Sequence, residues 1–314
     1  MHPTSSVVSI ASAVMTVMVT GASGAVGHAL VPLLVRRDEV RAAVRDPASA
    51  ESLRALGAKV TVGRLDDAES LAEVLGGVFT LVHLVGGPDQ PDDDALWEAN
   101  HRSTLRAVAA AREAGVRRLV FVSVPGAAAD ASTGFLRAKG LAEEAVTTSG
   151  LQHVVIRSAP VVGAGSLWFA ATVGGALQSP PVVWGPGDRP LAPVAVGDLA
   201  AVLAVADDLD ADLAGTWALE GPDVVRADDV VRLLAGDDVA QQHLHGDEAR
   251  TRLSSVFGRP IGGSVIDALT GPARDDSPDA AASFGVQRTP LTEAMRAALA
   301  PAAGPEASPG AGPG

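Results

Sequence analysis

Three glycines at intervals of three residues, Gly21, Gly24 and Gly27, separate a β-branched run from an apolar stretch with helical periodicity. In such a loop the first glycine permits a tight turn, the second lets backbone N–H groups approach a pyrophosphate, and the third lets a helix pack on a sheet. The helix N-terminus adds a partial positive charge beneath bound phosphates. The pattern therefore predicts a nicotinamide-dinucleotide site, rather than an empty structural turn. The predicted loop comprises Gly21, Ala22, Ser23, Gly24, Ala25, Val26 and Gly27.

The residues after the second β-branched run bear on which dinucleotide binds. Arg45 stands at the end of that run, where a guanidinium can bind the 2'-phosphate of NADP(H) through two hydrogen bonds. Asp46 is the competing residue, since a carboxylate there would bind the ribose hydroxyls of NAD(H). We interpret Arg45 as the cofactor-facing residue, against the alternative of an exposed strand-end charge. The sequence thus predicts NADP(H) in preference to NAD(H).

These residues need a scaffold that aligns strand ends along one edge. Short β-branched runs alternate with amphipathic helical stretches through the first half of the chain, as in βαβ units around a parallel sheet. Because their crossovers are right-handed, the default α/β fold is a doubly wound Rossmann sheet. Strands are predicted at 16–20, 40–44, 59–62, 80–84, 118–122 and 153–157, and helices at 25–36, 68–75, 97–114 and 136–147.

After residue 158 the alternation loosens, and glycine, proline and tryptophan become more frequent. We predict a Rossmann domain over 15–158, and a small substrate-binding region over 159–300 that is interleaved with it. Residues 301–314 are predicted to be a disordered tail, since they are too poor in large apolar groups to fold. Residues 1–14 are predicted to be a disordered extension or to precede the natural start at Met15. Later elements are predicted as a strand–helix pair at 191–206, a strand at 216–220, helices at 227–235 and 291–299, and a loop at 267–283.

The composition argues against several classes of protein. A formal net charge of -13 argues against a nucleic-acid or anionic-membrane partner, because both need concentrated Lys and Arg. The absence of Cys excludes thiolate nucleophiles and Cys-ligated zinc, and the histidines show no zinc-like spacing, so no metal is expected. Residues 158–187 are uncharged but broken by glycine and proline, which favours a pocket wall over a membrane span. We expect a cytoplasmic protein with a small-molecule substrate.

Several longer motifs resemble one enzyme superfamily. They are Thr-Gly-Ala-Ser-Gly-x-x-Gly at 20–27, Val-Arg-x-x-Val-Arg-Asp-Pro at 40–47, Ala-Gly-Val-Arg-Arg-Leu-Val-Phe-Val-Ser at 114–123, Leu-Arg-Ala-Lys-Gly-Leu-Ala-Glu-Glu at 136–144 and Pro-Val-Ala-Val-Gly-Asp-Leu-Ala at 193–200. With these motifs the chain resembles the extended and atypical short-chain dehydrogenase/reductases, especially their NmrA-like NAD(P)H-binding branch. The resemblance implies a Rossmann fold and a nicotinamide cofactor, but says little about the substrate.

In the reductases of this superfamily, a Tyr-x-x-x-Lys pair carries catalysis. The Tyr hydroxyl protonates the carbonyl, while the Lys lowers the Tyr pKa and holds the nicotinamide ribose. The matching residues here are Phe135 and Lys139, and the chain contains no Tyr, so the standard acid is absent. Lys139 is one of two lysines among 24 basic residues, which favours a specific role on the ribose over that of an ordinary surface lysine. Ser123 is expected either to reach the substrate carbonyl or to cap backbone.

The resemblance also suggests where the adenine and the substrate lie. Arg64 replaces an Asp that the family places on adenine, so adenine is expected to stack on Arg64 or to meet backbone near Leu65. Val85, after the fourth strand, is expected beside the cofactor. Large apolar side chains are expected to line the substrate pocket, although core packing explains each of them equally well. The pocket residues are Phe135, Trp168, Phe169 and Trp184.

Two functions of different classes remain open. One is an NADPH-dependent oxidoreductase acting on a quinone or other conjugated acceptor, because hydride addition there gives a delocalised anion that water or Ser123 can protonate. The other is a non-catalytic NAD(P)H-sensing regulator or scaffold, with catalysis lost along with the Tyr. An isomerase or lyase on the same fold is a third. The apolar stretch 158–187 with its aromatic residues favours a ligand pocket, and therefore an enzyme.

Overall fold

The computed structural model describes residues 15–63, 67–207 and 214–300. Numbered along the chain, the strands are β1 (Thr16–Thr20), β2 (Glu39–Val44), β3 (Lys59–Val62), β4 (Thr80–His83), β5 (Arg118–Ser123), β6 (Gln152–Ser158), β7 (Val161–Val162), β8 (Val182–Trp184), β9 (Pro190–Leu191), β10 (Val194–Ala195), β11 (Gly215–Leu219), β12 (Val225–Arg226) and β13 (Gln242–Leu244). Seven of them form one parallel sheet in the order β11-β6-β5-β4-β1-β2-β3. This sheet confirms the predicted Rossmann fold.

Helices cover the sheet and fill the second half of the described chain. They are α1 (Ala25–Leu34), α2 (Ala48–Ala55), α3 (Ala68–Val74), α4 (Asp93–Trp97), α5 (Ser103–Glu113), α6 (Gly134–Thr147), α7 (Leu167–Ala176), α8 (Val196–Ala206), α9 (Ala227–Ala235), α10 (Gly246–Phe257), α11 (Ser264–Thr270), α12 (Ala280–Ser283) and α13 (Leu291–Leu299). A π-helical turn, Glu98–Arg102, joins α4 to α5, so the predicted long helix begins four residues earlier than expected and contains this turn.

Alternation along β1 divides the interior into two cores. Val17 and Val19 face a core that includes side chains of α1 and α8, whereas Met18 faces one that includes side chains of α3, α5 and α6. Successive side chains of a strand point to opposite faces, and here both faces meet helices. The sheet is therefore buried on both sides, as a doubly wound fold requires.

The strand order reverses between β1 and β4, which neighbour each other in the sheet although two strands separate them along the chain. In open α/β sheets, ligands bind in the crevice outside the carboxyl ends of the strands at such a reversal. β1 ends at Thr20 and β4 at His83. The loop that begins at Gly21 and the segment that begins at Leu84 therefore meet at this crevice.

The second half of the chain contributes to the same sheet and also builds smaller cores. β11 pairs with β6 and becomes the seventh strand of the main sheet, while the remaining pairs are β10 with β7, β12 with β9 and β13 with β8. Two apolar clusters beyond the main sheet contain Trp168 and Trp184 respectively. These elements place the second half of the chain over the carboxyl edge, beside the crevice.

Some sequence predictions for this half are wrong. The predicted loop at 267–283 contains the end of α11 and all of α12, and α7 and α10 were not predicted. The predicted extension 1–14 and the tail 301–314 lie outside the described residues. Among the helices of the described ranges, none has the length and apolarity needed to cross a membrane.

Candidate functional site

The three loop glycines differ in what surrounds them. Gly21 has a φ of 74°, and a Cβ there would lie 2.8 Å from the carbonyl carbon of Leu84. A Cβ on Gly27 would lie 2.4 Å from the carbonyl oxygen of Ala22. At Gly24 the nearest atom, the carbonyl oxygen of Gly21, is 3.5 Å away. The outer glycines therefore allow close packing within the protein, whereas the middle one leaves space beside the loop.

The space beside Gly24 meets the N-terminus of α1. Gly24 is the N-cap residue of this helix, and no side chain of the described residues caps it. The first intrahelical bond runs from the His28 N–H to the Gly24 carbonyl at 3.0 Å. The N–H groups of the first helical turn, which have no acceptor within the helix, are thus available to a ligand. This cradle fits the pyrophosphate of a dinucleotide.

At the end of β2, Arg45 and Asp46 are in different situations. The Asp46 carboxylate accepts a hydrogen bond from the Ala48 N–H at 3.0 Å and so supports the first turn of α2. Arg45 is exposed, and its guanidinium makes no hydrogen bond or ion pair with another described residue. Arg45, and not Asp46, is therefore free to bind a ligand.

Other predicted cofactor residues fall in several places. Ala22 is fully buried and Ser23 is exposed. The backbone nitrogen of Val85 lies 2.9 Å from the position of a Cβ on Gly21, so Val85 adjoins the loop through its backbone. Arg64 and Leu65 lie outside the described residues.

A cavity of about 400 Å³ extends from the glycine loop into the second half of the chain. Its lining joins residues that are far apart in sequence, because the carboxyl ends of β1, β4 and β5 meet there. Most of the lining outside the glycine loop is apolar, and it includes Leu136, Leu167 and Leu269. The predicted site residues that line it are Gly21, Gly24, Ala25, Val26, Gly27, Ser123, Phe135, Lys139 and Trp168.

Lys139 lies on the cavity wall and is buried. Its Nζ donates a hydrogen bond to the Val122 carbonyl at 2.9 Å and lies 4.7 Å from the centre of the Phe121 ring. Burial lowers the pKa of Lys139 to about 8, against the opposing effect of the Glu143 carboxylate. An ammonium with one bond to backbone has two further N–H donors, which can serve a ligand in the cavity.

Phe135 and Ser123 complete the wall around Lys139. Phe135 stands one turn before Lys139 on α6, and both side chains line the cavity, as expected for residues four apart on a helix. The Oγ of Ser123 is fully buried and has no hydrogen-bond partner among the described residues. A buried polar atom without a partner is rare and costly. The position beside Ser123 is therefore suited to a ligand oxygen.

His83 lies at the end of β4, next to the crevice. Its Nδ1 is 2.8 Å from the Thr20 Oγ, and its ring stacks on Phe121 with 6.1 Å between centroids. Burial, followed by the nearby charge of Lys139, lowers the pKa of His83 to about 3. The imidazole is therefore neutral at physiological pH and belongs to the packed interior at the end of β4.

Two of the four predicted pocket residues do not line this cavity. Trp168 lines the cavity, but its neighbour on α7, Phe169, packs into a core with Leu191 and Met295. Trp184 is buried in a separate core, where its Nε1 donates to the Ala171 carbonyl at 2.7 Å. Phe169 and Trp184, which were predicted to line the substrate pocket, therefore lie outside the lining of this cavity.

Ion pairs fasten the second half of the chain around the cavity. Arg157 on β6 donates to Glu143 on α6 at 2.7 Å and to Asp275 at 3.1 Å, and both carboxylates are largely buried. On the other side, Arg259 donates to the Asp89 carboxylate at 2.5 Å. The Arg157 pairs join α6, which carries Lys139, to β6 and to Asp275, and the Arg259 pair joins Asp89 of the cavity lining to the residues after α10.

Some residues of the cavity wall were not found from the sequence. Asp267, Ala268 and Leu269 of α11, with Pro272 after it, line the cavity, although this segment was predicted to be a loop. Asp267 lies more than 100 residues after Lys139 in the sequence, and no motif near it indicates that its carboxylate reaches the cavity. Among the described residues, no group of three His, Asp or Glu side chains is arranged to hold a metal ion.

Comparisons with known proteins agree with this geometry. Residues 21–162 match the family model described as NAD(P)H-binding. The chain is 28% identical to the (4-alkanoyl-5-oxo-2,5-dihydrofuran-3-yl)methyl phosphate reductase of Streptomyces griseus, covering 80% of this chain and 85% of that protein. It is 26% identical to quinone oxidoreductase 2 of Escherichia coli, covering 89% and 97% respectively. The solved structure of MoeE5 in complex with UDP-glucose and NAD superposes with a TM-score of 0.68 at 20% identity, covering 90% of this chain and 97% of that one.

These matches show that residues 21–162 are similar to NAD(P)H-binding domains and that the chain shares its fold with the NAD-bound MoeE5 structure. Together with relatives that are named as reductases, they support the prediction of an NAD(P)H-dependent oxidoreductase. Membership of the NmrA-like branch stays a prediction.

Proposed function

We propose that this protein is an NADPH-dependent reductase of quinone-like or other conjugated small molecules. The observation that carries the proposal is a single cavity. Its lining contains the glycine loop, Lys139, Ser123 and a largely apolar set of side chains that includes Leu136, Leu167 and Leu269. A cofactor and an apolar acceptor can therefore lie side by side in it.

Each part of the cofactor has a group of this chain to hold it. When bound, the cofactor supplies a hydride from its nicotinamide ring. The first turn of α1 holds the pyrophosphate, Arg45 pairs with the 2'-phosphate, and Lys139 donates hydrogen bonds to the ribose hydroxyls. The prior engagement of Asp46 by Ala48 supports NADPH rather than NADH as the preferred form.

The acceptor is activated without a tyrosine. Ser123 donates its unpaired hydroxyl to the acceptor oxygen, and Phe135 offers an apolar surface for a planar ring. A conjugated acceptor that takes a hydride spreads the resulting negative charge over several atoms, so a solvent proton can complete the reduction afterwards. A simple ketone localises the charge on one oxygen and needs the acid that Phe135 cannot provide.

The named substrates of two relatives support this choice of acceptor. One relative is named for a quinone and the other for an oxo-dihydrofuran with an alkanoyl group. Quinones are conjugated acceptors, and a carbonyl group next to a ring double bond can spread negative charge in the same way. Conjugation is the property that a site without a tyrosine requires.

Calorimetric titration with NADPH and NADH, on wild type and on Arg45→Ala, tests the cofactor assignment. We expect NADPH to bind at least about tenfold tighter, as for one charge-assisted bidentate contact, and Arg45→Ala to remove that margin. Arg36→Ala, which removes an exposed arginine beyond the end of α1, is the matched control and keeps the margin. If neither nucleotide binds, the proposal fails.

A non-catalytic NAD(P)H sensor is the second candidate, and the replacement of the catalytic Tyr by Phe135 favours it. NADPH oxidation measured over a panel of quinones separates the two functions. A reductase consumes NADPH with at least one acceptor, and this activity falls by about tenfold in Lys139→Ala. A sensor binds the cofactor tightly and consumes none with any member of the panel.

A further inference from the structure

Charged side chains are scarce in the cavity, and those present are unequally engaged. The lining of the cavity contains three charged residues, Asp89, Lys139 and Asp267. Asp89 is paired with Arg259, whose guanidinium also donates to the Asp89 carbonyl at 2.9 Å. Lys139 is buried and bonded to the Val122 carbonyl. Two of the three charges therefore already have partners within the protein.

Asp267 has no such partner. It lies on α11 at the rim of the cavity, exposed on one side and lining the cavity on the other. Its carboxylate makes no hydrogen bond or ion pair with another described residue. The neighbouring lining residues, Ala268, Leu269 and Pro272, offer no side-chain donor, and partial burial raises the pKa of Asp267.

We infer that Asp267 is a specificity determinant that binds a positively charged substituent of the acceptor. The preferred substrates are then planar conjugated molecules that carry a cationic group, such as a quaternary or protonated amine, at one end. This inference rests on the proposed reductase function and adds the charge of its substrate.

The physical basis is the unbalanced charge at the apolar rim. A partly desolvated carboxylate gains free energy from a cation that approaches it, and more than a fully hydrated one does. The apolar wall provides the surface for the ring, while Asp267 fixes the end that carries the charge. An anionic substituent at the same place would meet both the carboxylate and a protein with a formal net charge of -13, and both repel it.

Three naphthoquinones that differ at one ring position test the inference. The substituents are trimethylammoniomethyl, its uncharged isostere neopentyl, and sulfonatomethyl. With wild type we expect kcat/KM to be about fivefold or more higher for the cation than for the neopentyl compound, and lowest for the sulfonate, as one exposed charge pair allows. In Asp267→Asn we expect the difference between cation and isostere to disappear, while the value for the neopentyl compound stays within about twofold of wild type.

Asp276→Asn is the matched control, because it removes the same charge from an exposed carboxylate outside the cavity lining. It keeps the cation preference if Asp267 is responsible, and lowers it if the preference comes from the overall field of the protein. Equal values for the cation and its isostere in wild type overturn the inference. An equal loss for all three quinones in Asp267→Asn also overturns it, since that pattern indicates a general catalytic or structural role.

A binding measurement separates this inference from the reductase proposal. Calorimetry on the NADP⁺-loaded protein compares 4-(trimethylammonio)benzyl alcohol with 4-tert-butylbenzyl alcohol, in wild type and Asp267→Asn. If no quinone is reduced, the reductase proposal fails. Tighter binding of the cation that is lost in Asp267→Asn still supports the role of Asp267. Equal binding of the two alcohols contradicts it.

Discussion

The two ends of the cavity are built in different ways. At the cofactor end the ligand-facing groups are mainly backbone, supplied by one continuous segment, Gly21 to Gly27, and by the start of α1. At the substrate end they are side chains from segments far apart in the chain, such as Phe135, Trp168 and Asp267. A site made of backbone groups depends on a few glycines. A site made of side chains can be altered by single substitutions.

This difference separates what is fixed from what is variable. The proposed cofactor end would bind a group common to many enzymes, and the parallel sheet holds the geometry of its glycine loop. The substrate end depends on elements outside the first six strands, fastened by the Arg157 and Arg259 ion pairs. Substitutions at the two ends should therefore change different kinetic constants, and the predictions below test that separation.

The largest effect is expected at Gly24. The free protein has room for a side chain there, but the bound cofactor would occupy the same space. An aspartate fits the space and is a favourable N-cap residue, but its charge opposes the pyrophosphate. Gly24→Asp should weaken NADPH binding by about a hundredfold or more while the melting temperature is unchanged or raised. Calorimetry and thermal unfolding measure the two quantities.

Gly27→Ala is the contrasting variant at the same end. Its added Cβ would lie 2.4 Å from the Ala22 carbonyl oxygen, so stability should fall, by about 1–3 kcal/mol as for other overpacked sites. If Gly24→Asp is destabilised as strongly as Gly27→Ala, the open space at Gly24 is not a ligand cradle.

The next effect concerns Lys139, which lies between the two ends. Because burial lowers its pKa to about 8, the free protein loses the ammonium as pH rises through about 8. The value of kcat/KM for NADPH, which reports on the free enzyme, should fall over the same range. Lys139→Ala should lower kcat/KM for NADPH by about tenfold at pH 7 and remove this pH dependence. In Lys139→Arg the guanidinium should keep its positive charge at every pH. A pH profile that is the same in wild type and Lys139→Ala would exclude this role.

An effect of similar size, on the acceptor rather than on NADPH, is expected at Ser123. Since its hydroxyl has no partner in the protein, Ser123→Ala should leave stability unchanged and lower kcat/KM for the acceptor by about tenfold, as for one lost hydrogen bond. NADPH affinity should not change. Ser158→Ala is the matched control, because Ser158 also lines the cavity but bonds to the Ala159 carbonyl at 3.0 Å. Equal losses in both variants would contradict a specific role for Ser123.

The last effect concerns the stability of the protein rather than its kinetics, and depends on His83, which is buried at the end of β4. His83 is buried with a pKa lowered to about 3 from 6.5, so below pH 6.5 the unfolded chain binds a proton that the folded protein does not. Stability should therefore fall with acid, and between pH 7 and 5 wild type should lose about 2 kcal/mol more than His83→Leu. Urea unfolding at both pH values measures this, and the exposed His245→Asn should behave as wild type does.

The sequence predicted the fold around the glycine loop well, because the signals there are local. The glycine spacing, the β-branched runs and the family motifs all lie in continuous segments, and β1 and β3 have the predicted bounds. Lys139 stood out as a rare lysine with Phe135 one turn before it. Both line the cavity, as four-residue spacing on one helix leads one to expect.

The substrate end was predicted less well, for physical reasons. α7 is apolar on all sides and rich in glycine, so no helical periodicity marked it, and the sequence could not show that Trp168 rather than Phe169 faces the cavity. The role of Trp184 depends on a tertiary contact with Ala171. Asp267 reaches the cavity through the packing of α11, which no nearby residue signals.

The central claim is that both ends serve one hydride transfer, and isotopic labelling tests it most directly. The protein is incubated with a conjugated enone and with NADPH that carries deuterium in place of one or the other of the two hydrogens on nicotinamide C4. The mass of the product is then measured by mass spectrometry. We predict that one of the two labelled cofactors, and not the other, gives a product one mass unit heavier at its β-carbon. Cofactor binding without a labelled product from either form would contradict the account and favour a sensor.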